Sequence, residues 1–496
     1  MISTLKRRTS EHLNIRCRLT VDGRAVLGGA RTGAFMLLVL LLAGCGPARQ
    51  LPVIPTIPTE AFEPLVRNEI ANALATVQRR PRNARVNGRL AMALHAYRIF
   101  AHAEIAYRRA RLLDPDAFRW AYYHADVLLA LGWQDDAARV FREAIALDPD
   151  YHPARARLAS LLIREGDLEG SAALLDAVLA SDPEHGEALY EYGRIHLRRD
   201  NFQQAIAAFE RSIAAAGPDA AAYFGIAQAY RNLGDSDRAE RFQALHARFV
   251  RQPPRKKDPR LAEIAALNHS STALLDRARA HYEGGDKDRA IEVIGRVLND
   301  NADNIAAHTA LVGIYARMRQ FDLADRHYGV AAGLSPVPAV LHLNLAVARV
   351  AEGRWVEAAS LVEDALAIAP GHAAALTQLG NIRSTQGRVD DAIENYRLAL
   401  TNDPGLLMAR ERLAKNLVAA ARYREAVEVL ARIPPLDDAT TVRMLLILAT
   451  AHENLDEYGE AVAALTQAQA ATAADIPQRL RSDIRRRLDR LATNHN

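Results

Sequence analysis

Cysteine is nearly missing from this 496-residue chain, which has only Cys17 and Cys45. Two thiols cannot build a disulfide framework, and neither belongs to a CxxC metal pair or a CxxCH haem-attachment motif. Aromatic residues are also scarce, at 6%, and no segment reads as a β-strand, so helix is the expected structure. No apolar run reaches the roughly 20 residues that a membrane-spanning helix needs. The signatures HExxH, GxSxG, the Walker A loop and a GxGxxG after a strand are all absent. With its histidines scattered, the chain is read as a non-enzyme with no catalytic residue, no metal site and no cofactor. An excess of one charge is missing too. Residues 1–44 hold seven of the 63 basic and two of the 59 acidic side chains, which leaves 56 against 57 and a net charge of −1 in the remainder. The basic cluster at Arg79, Arg80, Arg82, Arg85 and Arg89 has no interleaved aromatics on which bases could stack. Nucleic acid is therefore not an expected partner.

What is present begins with an apolar stretch at 34–43, preceded by Arg24 and Arg31 and followed by Leu42-Ala43-Gly44-Cys45. That order is the grammar of a signal peptide. The four residues at its end resemble the lipobox of bacterial lipoproteins. The resemblance implies cleavage before Cys45, lipid attached to Cys45, and loss of Cys17 with the leader at 1–44. The implied partner is then a membrane, and the implied location is the envelope of a bacterium. Gly46 stands where inner-membrane members carry aspartate, which is similar to lipoproteins of the outer membrane facing the periplasm. If the lipobox is fortuitous, the reading becomes a cytoplasmic scaffold. Residues 45–59 carry Pro47, Pro52, Pro55 and Pro58 and read as an extended, semi-rigid stalk.

Beyond the stalk the sequence repeats. Pro81, Pro115, Pro149 and Pro183 are each 34 residues apart, as are Pro336, Pro370 and Pro404. A small residue lies twelve before most of them (Ala103, Ala137, Ser171, Ala324, Ala358, Ala392), and a larger apolar one follows four later (Tyr107, Phe141, Leu175, Tyr328, Val362, Tyr396). The small residues let two helices approach, the large ones fill the space beside them, and proline ends the second helix. Glycine recurs midway, at Gly132, Gly166, Gly234, Gly285, Gly353 and Gly387, where the turn between helices falls.

Segments such as DDAARVFREAIALDPDYHPARARLASLL and AIENYRLALTNDPGLLMARERLA resemble the tetratricopeptide repeat (TPR) family. The resemblance implies an all-α, right-handed superhelical solenoid of about eleven helix-turn-helix repeats in two arrays. A capping helix is expected at 60–80, five repeats at 84–253, a Pro-rich basic joint at 254–270, six repeats at 271–475 and a trailing cap at 476–496. Arg485, Arg486 and Arg487 read as the cap's solvated face, and the joint reads as a charged, exposed connection.

In this family the first helix of each pair lines a concave surface that binds peptides. Carried onto this chain, that pattern places Arg119, Tyr122, Asp126, Ser160, Tyr190, Arg194, Phe224 and Gln228 in a protein-binding groove, with a shallow place at Ala156 between Tyr122 and Tyr190. The second array offers a blander strip at Thr309, Leu343, Thr377, Asn381 and Lys415. Exposed aromatics beside arginines suit a protein interface. The reading is a membrane-anchored scaffold holding protein partners of an envelope assembly of the secretion, pilus, polysaccharide-export or cytochrome-maturation type. A structural envelope spacer and a glycan-binding module remain open as alternatives, and the sequence is silent on oligomeric state.

Overall fold

The computed structural model describes residues 50–250, 258–431, 433, 439–470 and 477–494, and every regular element among them is an α-helix. The apolar leader and Cys45 lie outside these residues. Helix α1 (Pro64–Arg79) precedes five helix pairs: α2 and α3 (Ala84–Ala96, Phe100–Leu113), α4 and α5 (Phe118–Ala130, Gln134–Leu147), α6 and α7 (His152–Glu165, Leu168–Ser181), α8 and α9 (Gly186–Arg198, Phe202–Ala216), and α10 and α11 (Ala220–Asn232, Ser236–Phe249). A short helix, α12 (Pro259–Ala266), leads into six more: α13 and α14 (Ser271–Glu283, Lys287–Asp300), α15 and α16 (Ile305–Arg317, Phe321–Ala332), α17 and α18 (Ala339–Ala351, Trp355–Ile368), α19 and α20 (Ala373–Thr385, Val389–Asn402), α21 and α22 (Leu407–Ala419, Tyr423–Leu430), and α23 and α24 (Ala439–Asn454, Tyr458–Ala470). Helix α25 (Gln478–Asn494) closes the chain.

Local chemistry sets these limits. Side-chain oxygens of Asn83, Asp286 and Asn304 accept from the backbone N–H three residues on, at 3.0, 3.1 and 2.9 Å, and so start α2, α14 and α15. Proline stands two residues beyond the ends of α3, α5, α7, α9, α18 and α20 and cannot extend them. Between the helices of each pair the backbone turns left-handed, at residues 98, 132, 166, 200 and 234 in the first array and at 285, 319, 353, 387, 421 and 456 in the second. Six of these turns carry glycine, and Arg98, Asp200, Arg319, Ala421 and Asp456 hold the same conformation with a side chain.

The periodic residues form the contacts between helices. Ala103, Ala137, Ser171, Ala205, Ala290, Ala324, Ala358 and Ala392 have no exposed surface, and Tyr107, Phe141, Leu175, Val362 and Tyr396 are equally buried beside them. Each helix packs on its pair-mate and on the adjoining repeat, which is the packing of a solenoid. The departure is α12, which packs on α2 and α4, far back in the chain. The joint was expected as an exposed connection, but its described part is a helix laid against the first array.

Two other expectations are corrected. The stalk does not stand free along its second half: Ile57 is buried, Arg109 Nη1 donates to the Pro52 carbonyl at 2.6 Å, and His102 Nε2 lies 3.0 Å from the Thr56 carbonyl. Proline-rich backbone has carbonyls that no helix or sheet claims, and the basic side chains of α3 use them as acceptors. Arg487 is not solvated either. It is 13% exposed, and its Nη2 lies 2.8 Å from Glu453 and donates to Thr450 Oγ1 at 3.1 Å, so that it holds α25 onto α23.

At Gly353, φ is +78° and a Cβ would meet nothing within 4 Å. An alanine there suffers only backbone strain, which costs about 1–2 kcal/mol in this conformation, offset in part by a less free unfolded chain. Gly353→Ala should therefore lower the urea midpoint by an amount equivalent to about 1 kcal/mol, while Ala421→Gly should not lower it.

Candidate functional site

The first helices of successive pairs carry the expected groove residues, but the structure divides them into two groups. Around α4 and α6 they already have partners. Tyr122 is fully buried, and its hydroxyl donates to Asp258 Oδ2 at 2.5 Å. The neighbouring Tyr123 hydroxyl donates to Glu263 Oε2 at 2.7 Å, and Arg119 Nη2 donates to Glu263 Oε1 at 2.9 Å. Asp126 is held by Arg157 Nη1 at 2.7 Å and His95 Nε2 at 3.1 Å. Burial works to raise the Asp126 pKa, but the His95 hydrogen bond and the Arg157 charge outweigh it and keep the carboxyl below its ordinary value. Tyr122 is shifted upward, first by burial and also by the adjacent Asp258 carboxylate, against the opposing pull of Arg157, so its hydroxyl remains a donor. Arg119, Tyr122 and Asp126 thus do not form an open surface. Ala156 is itself fully buried, so no shallow place opens at that residue.

Farther along, Tyr190, Arg194, Phe224 and Gln228 come together with Phe209 around a cavity of about 260 Å³ between α8 and α10. Phe224 is 44% exposed and lies tilted against His246, with ring centroids 5.4 Å apart. Ser160 lies one repeat earlier and accepts from Arg194 Nη1 at 3.0 Å, which orients the guanidinium.

The larger opening is in the second array. A cavity of about 780 Å³ lies along α13, α15 and α17, lined chiefly by apolar side chains such as Leu275, Tyr282, Ile305, Ile314 and Val340, with Arg279, Glu283 and Arg317 also lining it. Of the strip expected there, only Thr309 borders this space. Leu343 and Thr377 are buried, Thr377 Oγ1 donates to the Ala373 carbonyl at 2.8 Å, Asn381 accepts from the Tyr396 hydroxyl at 2.9 Å, and Lys415 is exposed. Thr309 differs from Thr377. It is 6% exposed, and its Oγ1 has no hydrogen-bond partner.

Sequence reasoning missed both Asp258 with Glu263 and the alanine face of α15, Ala306 and Ala310, in the larger cavity. The first had a local signal: Asp258-Pro259 is a helix-start pair, with Leu261 and Ile264 spaced as one helix face. The second had none, because alanines that border a space and alanines that close a contact look alike in one dimension.

Three tetratricopeptide repeat models match, one at residues 156–220 and 196–252, one at 349–394 and 384–446, and one at 272–304. The chain belongs to the tetratricopeptide repeat family, and as such it is a scaffold for protein–protein interaction. Similar solved structures include yeast Tom70, at 13% identity over 83% of this chain and 96% of that one, with a TM-score of 0.38. The pilF structure from Pseudomonas aeruginosa shares 15% identity over 44% of this chain and 97% of that one, with a TM-score of 0.36. PilW, titled a widely conserved type IV pilus biogenesis factor, shares 19% identity over 43% and 98%, with a TM-score of 0.36. No curated protein matches the chain.

The buried wall of the first array also titrates. His124 Nδ1 accepts from Arg111 Nη1 at 2.9 Å, since a guanidinium can only donate. Burial holds the His124 pKa below its ordinary value, with Glu104 Oε1, 3.4 Å from Nε2, pulling the other way. Because the folded-state pKa is depressed, the unfolded chain takes up the proton first as pH falls. The His124 contribution is therefore complete above about pH 6.5 and is lost on acidification below it. His124→Gln should flatten the dependence of Tm on pH between about 7 and 5, and an unchanged slope would remove this residue from the titration.

Proposed function

We propose that this chain is a lipid-anchored scaffold of a bacterial cell envelope and that the concave face of its second array holds an apolar segment of a protein partner. The observation that carries the groove assignment is the 780 Å³ cavity along α13, α15 and α17. Its size falls within the roughly 300–1,000 Å³ range of ligand sites, and its lining is apolar with a few polar groups at fixed places, as such sites require. Thr309 supports the reading further. A buried hydroxyl without a partner costs about 1–3 kcal/mol, and a bound segment with a carbonyl at that point would relieve this cost. An apolar lining favours a peptide over a glycan, whose hydroxyls need many polar partners. The smaller cavity at Tyr190 and Phe224 is a secondary contact for the same class of partner.

The anchor rests on the sequence at Leu42–Cys45, and the assembly served is one that a lipoprotein at the outer membrane, facing the periplasm, can reach. Among the described residues no helix is long and apolar enough to cross a membrane, so attachment in this reading depends on lipid at Cys45.

Two measurements test the two halves separately. Labelled palmitate should enter the protein and be lost in Cys45→Ser; incorporation that survives the substitution would remove the anchor from this site. Ala306→Asp with Ala310→Asp places carboxylates on the open face of α15 at a modest helix-propensity cost of about 0.7 kcal/mol each. A partner captured from cross-linked envelopes by the native chain should be lost by this variant. Retention would move the interface out of the second array.

A further inference from the structure

We propose that α12 is an internal ligand of the first array, which it closes to partners until a helix of the same pattern displaces it. The proposal rests on the concave face being the partner surface. It concerns the half of that face around α2, α4 and α6, which the larger cavity does not touch.

The contacts are those of a bound peptide. Asp258 is the N-cap of α12, and its carboxylate is saturated. Oδ1 accepts from its own Leu261 N–H at 3.0 Å and from the Tyr151 hydroxyl at 2.7 Å, while Oδ2 accepts from Tyr122 at 2.5 Å and faces Arg157 Nε at 3.4 Å. Five residues on, Glu263 is held by Arg119 and Tyr123. Between and beyond these anchors, Leu261, Ile264 and Leu267 join the apolar core of the first array, and Ile264 is 4% exposed. The pattern is therefore Asp, Leu at +3, Glu at +5 and Ile at +6. It reads across 136 and 140 residues of sequence separation for the two tyrosine contacts, so no repeat periodicity produces it.

Other features make the helix displaceable rather than a fixed part of the solenoid. Eight residues are too few to stay helical without the groove, so α12 has no structure of its own to preserve. The Arg119–Glu263 pair is open to solvent, at 35% and 40% exposure, and is correspondingly weak. After α12, Asn268 donates to the Ala96 carbonyl at 3.0 Å and Ser271 N–H donates to Glu63 at 2.8 Å. These bonds pin the start of the second array to α1 and α2 independently of α12. A tethered ligand competes at an effective concentration near the millimolar range, which sets how strongly a free peptide must bind to replace it.

The test uses the full chain and a fluorescein-labelled peptide of residues 256–270 as the probe, read by anisotropy. D258N/E263Q weakens the internal helix and should bind the peptide at least about tenfold more tightly than the native chain. Adding Y122F, Y123F and Y151F to that variant should abolish the gain, because the groove then lacks all three hydroxyl donors. Equal affinity for the native chain and D258N/E263Q, or no binding to either while helical circular dichroism is retained, overturns the proposal. If D258N/E263Q does not fold, hydrogen exchange on the native chain decides: amides at 260–266 must exchange faster under excess peptide, and unchanged rates overturn the proposal. Partner capture that depends on Ala306 and Ala310 is unaffected by these results, so failure here is distinct from failure of the second-array assignment.

Discussion

Phe209 sits between the backbones of α8 and α10 so closely that a Cβ at Gly193 or at Gly225 would meet its ring at 2.5 Å. The same clasp recurs where Tyr396 faces Gly380, at 2.6 Å. One large side chain from the second helix of a pair thus fills the space between neighbouring first helices, and at these positions the ring lies where only glycine leaves room for it. Burial of such a ring is worth about 1.5–3 kcal/mol, and no pair can collect it alone, because half of the receiving surface belongs to the next repeat. This dependence makes the molecule a stack. It also explains why the spacing must hold: one residue of slippage would turn the glycine away and present a side chain in its place.

A stack built this way has ends, and each end here is covered by something outside the repeat. At the start, α1 supplies Val66 and Ile70, and the proline-rich segment before it adds Ile57. At the finish, α25 supplies Ile484 and Leu491, with Arg487 bonded to Glu453 and to Thr450 on α23. Arginine suits this task because its stem covers apolar surface while its head reaches several acceptors.

The repeats were legible because their information is local. Pro115, Ala137 and Gly132 act within one repeat, and the 34-residue interval multiplies the signal. That Tyr190, Arg194, Phe224 and Gln228 lie side by side was legible for the same reason, since equivalent positions of adjacent repeats are neighbours. Tyr122 occupies the same position in its own repeat, yet it is buried. What covers it is Asp258, 136 residues away, and a periodic pattern carries nothing about a segment that stands outside the period. The proline-rich stretch was opaque for a related reason: its composition specifies an extended backbone, whereas its contact with Arg109 and His102 is set by the side chains of α3.

The two arrays treat their concave faces in opposite ways, and the difference comes down to two polar groups. Asp258 brings a carboxylate into the first groove, where it accepts from the Tyr122 and Tyr151 hydroxyls and from its own helix, with Arg157 Nε 3.4 Å away. A carboxylate that is buried must be met in this way, or its desolvation would unfold the site. Thr309 brings a neutral hydroxyl to the second groove and finds nothing. A neutral donor can remain unmet at a cost that a domain of this size tolerates, whereas a charge cannot. The charged anchor arrives with its ligand and is met at once by the groove's donors, whereas the neutral hydroxyl of the second groove can stand unmet until a ligand reaches it. The first groove thus holds a helix of its own chain, and the second holds a neutral hydroxyl that no group of the chain meets.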